Sequence, residues 1–208
     1  MVLTEILLVT SNGITKVLDL SAAGLSTFSC ARDTWEDEFD SSTSQAIAHM
    51  SECLGSTLLL IGAFHDWPHI EIEYMAMACL TLAPILYMLA TWNCKVMKIQ
   101  DKRESYVDNI VVLVGIMFLN LTYVLERYDR IPIEALFSEV FGYLILIVGS
   151  LYYTIYPPSK RLPRFGRRDS WSATTDTWSS ICFLIRAFMH HFKVKQYIRD
   201  SSTIYEEL

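Results

Sequence analysis

The sequence predicts an all-α, polytopic membrane helical bundle, and three observations predict it. Apolar residues make up 52% of the 208 residues and mean hydropathy is +0.29, a composition that points away from an ordinary soluble domain. These residues gather in blocks comparable with the roughly 20 residues a helix needs to cross a bilayer. Charge is sorted along the chain: residues 1–55 hold eight acids and two bases, 56–156 ten and six, and 157–208 five and nine. The expected division is an acidic N-terminal segment over 1–45, a membrane bundle over 46–156 and a basic tail over 157–208.

Residues 1–28 read as a short amphipathic helix or pair of helices. They lack the basic start and small-residue cleavage site of a secretory signal. The stretch ARDTWEDEFDSSTSQ at 31–45 reads as a solvated acidic linker. Residues 46–64 form the weakest of four expected spans, because His49 and Glu52 lie near one end, and a three-span bundle is the alternative. Residues 73–93 form a better span. Pro84 is tolerated there because neighbouring helices can compensate the carbonyl it frees, and a kink is expected. Residues 107–126 and 133–156 are long and apolar, the second closing in a tyrosine-rich belt before Pro157-Pro158 ends the helix. Beyond them, residues 178–199 place Trp178, Ile181, Ile185, Phe188 and Phe192 on one face and Arg186, His190 and Lys193 on another. This pattern describes a basic amphipathic helix, expected on the cytoplasmic side in the membrane interface, capping the bundle or docked on a partner.

Basic residues orient the spans. Lys95, Lys98, Lys102 and Arg103 follow the second span, and Lys160, Arg161, Arg164, Arg167 and Arg168 follow the fourth, against Arg127 and Arg130 on the other side. Nine against two places both basic segments in the cytoplasm, and with four spans both termini lie there too.

Two intramembrane polar residues attract attention. Asn120 and Glu139 are equally distant from the centre of the hairpin joining the third and fourth spans, so they are expected at one depth, as a helix-to-helix hydrogen bond or as an ion or proton site. Asn120-Leu121-Thr122 matches a glycosylation sequon but lies inside a span. His65, Asp66, His69, Glu71 and Glu73 collect potential metal ligands, although Trp67-Pro68 breaks the helical spacing that would make them converge. No catalytic motif, nucleotide loop or row of voltage-sensing arginines is present, and no metal or other cofactor is expected.

The remaining candidates are short patterns in the segments assigned to the cytoplasm. Ser170 follows Arg167-Arg168-Asp169 as a basophilic-kinase site, and Cys94 beside Lys95 is a candidate palmitoylation position. Tyr205 and Leu208, in SSTIYEEL, match a tyrosine-based sorting or phosphotyrosine motif that would be read as an extended peptide. The expected partners are the lipid bilayer, other membrane proteins and cytosolic sorting adaptors, with no nucleic acid, and the expected location is the endomembrane system or plasma membrane. These readings lead to a non-enzymatic accessory, trafficking or interaction subunit. The alternatives are a small channel or transporter subunit using Asn120 and Glu139 and, behind it, a metal-dependent membrane hydrolase.

Overall fold

The computed structural model describes residues 2–36, 43–65, 70–95, 99–127, 132–155 and 170–206, with side-chain surroundings omitted toward several helix ends. They form six helices: α1 (Val2–Glu36), α2 (Thr43–His65), α3 (Ile70–Asn93), α4 (Ile99–Arg127), α5 (Pro132–Ile155) and α6 (Ser170–Glu206). Four are long and apolar enough to cross a membrane, over Ser44–Phe64, Ile72–Asn93, Lys102–Leu125 and Ile133–Tyr152. Residues 46–64, the weakest expected span, are thus among them. The chain is a multi-pass membrane protein of all-α fold.

Element boundaries differ from expectation in three places. α1 is one helix that runs to Glu36, so the first residues of the expected acidic linker are helical. α4 starts at Ile99, which puts Lys102 and Arg103 in its opening turns instead of a loop. α6 extends to Glu206, well past the amphipathic segment at 178–199, so Tyr205 stands on helical backbone instead of in an extended peptide. α3 passes through Pro84 without interruption. Because proline has no amide hydrogen, the carbonyl of Leu80 there lacks its usual helical donor.

Each helix packs on its sequence neighbours, and α1 packs on α6, so the six close into a ring. Successive helices run antiparallel. Along α5 and α6, for example, Ser150 meets Thr177, Tyr143 stacks on Phe183 and Glu139 meets Arg186. Every seam of the ring carries a polar tie. The Ser26 and Ser56 hydroxyls meet at 3.1 Å between α1 and α2, and Ser51 donates to the Cys79 carbonyl at 2.9 Å between α2 and α3. Thr91 and Ser105 meet at 3.0 Å between α3 and α4, and Ser138 donates to the Phe118 carbonyl at 2.7 Å between α4 and α5. Thr177 and Ser150 meet at 2.9 Å between α5 and α6, and Ser179 donates to the Ala22 carbonyl at 2.8 Å across the closing seam. Small hydroxyl side chains suit this role, because lipid gives no hydrophobic drive to helix association and close packing with hydrogen bonding must supply it.

Glycines allow close approach between α2 and α3, at Gly55, and between α4 and α5. A Cβ on Gly142 would stand 2.7 Å from a Leu119 methyl and 3.0 Å from the Gly115 carbonyl oxygen, and one on Gly115 would meet Leu146 at 2.8 Å. Met77, Ile116 and Leu119 form the buried apolar cluster behind this contact, backed by Leu80, Val112, Tyr123, Tyr143 and Leu146.

Beside that cluster, polar residues are buried within the bundle while large apolar ones face outward. On α4 the exposed large apolar residues are Ile99, Val107, Ile110, Val114, Met117, Leu121 and Val124; from Val107 onward they recur every three or four positions down one face. Its buried residues include Ser105, Asp108, Asn109 and Thr122. That inversion of a soluble protein's pattern is what a lipid solvent requires.

Candidate functional cavity

Inside the ring lies a cavity of about 970 Å³ with residues from all six helices in its wall. Among the described residues each helix contributes one carboxylate: Asp19 from α1, Glu52 from α2, Glu73 from α3, Asp108 from α4, Glu139 from α5 and Asp176 from α6. The full cations in the described wall are Lys16 and Arg186, so its formal charge is negative. One arc is apolar, formed by side chains of α3, α4 and α5 such as Met77, Leu80, Ile116 and Leu119.

Two polar clusters organise the wall. In the first, Arg186 of α6 clamps its neighbours on either side: its Nε lies 2.9 Å from Asp19 Oδ1, and its Nη1 lies 3.4 Å from Glu139 Oε1. A planar guanidinium can engage two carboxylates at once, so one residue ties α1, α5 and α6 together. Next to it, the rings of Phe183 and Tyr143 stack with centroids 5.5 Å apart.

The second cluster joins α2 to α3. Tyr87 Oη donates to Glu52 Oε2 at 2.9 Å and lies 2.7 Å from His49 Nδ1. A phenol has one proton to give. With that proton on Glu52, the short contact to His49 requires the hydrogen on Nδ1, so His49 donates to Tyr87. His49 and Glu52 are three residues apart and therefore on one helical face, which brings both to the same tyrosine. The two residues that weaken α2 as a lipid-facing span are both turned into the cavity wall.

The antiparallel register separates the clusters along the bundle axis. Asp176 adjoins Thr177, which meets Ser150, whereas Arg186 lies more than two turns further along α6, at the level of Glu139. Asp108 lies one turn from Ser105, which meets Thr91 near the same end as Ser150. Glu139 and Asp19 thus share a level with the guanidinium, while Asp108 and Asp176 stand toward the other end, away from both full cations in the wall.

The sequence candidates fare unevenly. Glu139 lines the cavity, but its partner is Arg186, and Asn120 turns to a different seam, donating to Thr81 Oγ1 of α3 at 3.0 Å. Equal distance from the hairpin centre puts two residues at one depth without deciding which way each points. Glu73 also lines the cavity. Of the other proposed metal ligands, Asp66 and His69 lie outside the described residues, as do the side chains of His65 and Glu71. Among the described residues no group of three or more His, Cys, Asp or Glu is arranged to hold a metal ion. Cys94 is half-buried just past the end of α3, with its amide bonded to the Ala90 carbonyl at 3.0 Å. Ser170 opens α6, but its side chain and that of Tyr205 are outside the described set, and Leu208 is wholly outside it.

Neither a family model, a curated protein nor a solved structure matches this chain. Function is therefore read from the cavity alone. Sequence reasoning missed Asp19, Asp108, Asp176 and Arg186 as members of one site. The signal was available in α4, where the polar positions Ser105, Asp108, Asn109 and Thr122 fall on the face opposite the apolar stripe.

Proposed function

We propose that the protein is a channel or transporter subunit that binds a small cationic solute and passes it through the cavity within one chain. The observation that carries this reading is a carboxylate from each of six helices facing one cavity whose described wall holds two full cations. Ionisable groups at membrane depth are costly unless they face water, a partner or a passing ion, and they mark solute pathways in membrane proteins. A ring of carboxylates selects cations by the field it creates, and a wall that is apolar along one arc favours an organic ammonium or guanidinium over a bare ion. The cavity favours this role over that of an accessory or trafficking subunit, whose supporting motifs at Ser170, Tyr205 and Leu208 rest on side chains outside the described residues. We take the cavity to act by binding, without bond chemistry.

The test is flux into proteoliposomes holding the purified protein, with sodium, potassium, choline and guanidinium as probes and chloride as the control. Uptake of at least one cation above empty vesicles is expected, reduced several-fold by Asp176→Asn. Cation uptake no faster than in empty vesicles for every probe would refute the reading.

A further inference from the structure

Among the described residues α1 and α6 hold no stretch with the length and hydropathy of a span, yet they sit at the depth of the spans and expose large apolar side chains. α6 runs beside the middle of the α5 span, with Thr177 opposite Ser150 and Arg186 opposite Glu139. α1 is joined to α6 through Ser179 and Arg186, and to the centre of the α2 span by the contact between Ser26 and Ser56. The large outward residues of both are apolar: on α6 Trp178, Ile185 and Phe188 are 58%, 46% and 41% exposed, and on α1 Val17 and Phe28 are 62% and 55% exposed, with the small Gly13, Ser21 and Ala31 exposed beside them. Between Ile14 and Ala31, and between Ala173 and Met189, no Asp, Glu, Lys or Arg is exposed. The inner faces instead carry Ser29, Thr175, Thr177, Ser179 and Ser180 as buried residues. A helix lying on the membrane, or roofing it in water, needs its polar face outward, and here that face is turned into the ring.

We propose that α1 and α6 both cross the bilayer, with the outer faces around Val17 and Ile185 in contact with lipid acyl chains, so that the protein has six spans. The occupant follows from continuity: these faces extend the exposed apolar faces of α2 and α5, which carry Leu54 on one side and Leu144 and Val148 on the other. On α6, mean hydropathy is lowered by polar residues such as Asp176, Ser179 and Ser180, which face the cavity. The consequence is a change of side. In an antiparallel ring of six crossings, the α1–α2, α3–α4 and α5–α6 connections share one membrane face, and the start of α1 shares the other with the end of α6. Of the 17 lysines and arginines, ten fall toward the first face and five toward the second, while Lys16 and Arg186 line the cavity. The bias therefore keeps the basic connections cytoplasmic and moves Tyr205 to the opposite side, out of reach of cytosolic kinases and coat adaptors. This inference is independent of what the cavity carries.

Two measurements on the full chain in native-like membranes test it. An epitope inserted after Ser159 and another following Leu208 are probed by antibody before and after permeabilising one face; opposite accessibility is expected, and accessibility from the same side overturns the proposal. Spin labels at Ile185→Cys and Val17→Cys, in a background lacking the native cysteines, report the solvent directly. Collision with oxygen above collision with a water-soluble nickel chelate is expected at both sites, and the reverse at either site overturns it.

Discussion

The arc α2–α5 and the pair α1–α6 differ in composition and agree in orientation. The four helices of the arc satisfy length and hydropathy for crossing a membrane, and among the described residues α1 and α6 hold no stretch that does. Yet both groups expose large apolar side chains, bury hydroxyls and turn their charged groups toward the cavity. The difference shows that mean hydropathy reports how polar a helix is, while the face on which the polarity lies reports its solvent. α6, which turns Asp176, Ser179, Ser180 and Arg186 into the cavity wall, is the case in point.

The largest effect is expected where the two groups are tied by charge. Arg186→Met leaves Asp19 and Glu139 without their shared cation and should cost about 3 kcal/mol of stability in a detergent-unfolding titration. Removing the charges together, with Asp19→Asn and Glu139→Gln added, should restore most of the loss. Failure of that rescue would mean Arg186 stabilises by packing alone. Gly142→Val tests the arc by itself: the new side chain must displace Leu119 and the backbone of Gly115, for a loss of about 1–3 kcal/mol. A variant as stable as the parent would show that α4 and α5 are further apart than described.

Smaller effects sharpen the contrast. Tyr87→Phe removes the hydroxyl shared by His49 and Glu52 and should cost about 1–2 kcal/mol in the same titration. Asn120→Leu removes a single amide donor at the seam between α3 and α4, and about 0.6 kcal/mol is expected. Because Asn120 is not in the cavity wall, that variant should leave solute uptake unchanged. Reduced uptake without reduced stability would instead place Asn120 on the pathway.

Most of the arc was legible in the sequence because its signal is one-dimensional. Residues 46–64, 73–93, 107–126 and 133–156 are apolar in nearly every window, and the spans Ser44–Phe64, Ile72–Asn93, Lys102–Leu125 and Ile133–Tyr152 differ from them by a few residues at their ends. Of the apolar residues expected on one face of α6, Trp178, Ile185 and Phe188 are exposed and Ile181 is half-buried. What the sequence did not reveal was the meaning of the opposite face. Arg186 reads as one more cation of a basic tail until α1 and α5 bring Asp19 and Glu139 to it from positions 167 and 47 residues away. The cavity is likewise a product of ring closure between the first and last helices, and no local pattern encodes which helices become neighbours. Asn120 and Glu139 illustrate the same limit, with depth readable from spacing and facing readable only from packing.

The central claim, a water-accessible and anionic cavity inside a membrane ring, is tested most directly by charge-selective thiol labelling. In protein with its native cysteines replaced by alanine, Ser180→Cys lies on the cavity wall and Leu144→Cys on the outer face. Cationic methanethiosulfonate should modify Ser180→Cys on the order of ten times faster than its anionic counterpart, the ratio expected for about 1.4 kcal/mol of local electrostatic preference, and neither reagent should modify Leu144→Cys. Equal rates for the two reagents at Ser180→Cys, or no modification there at all, would contradict the account.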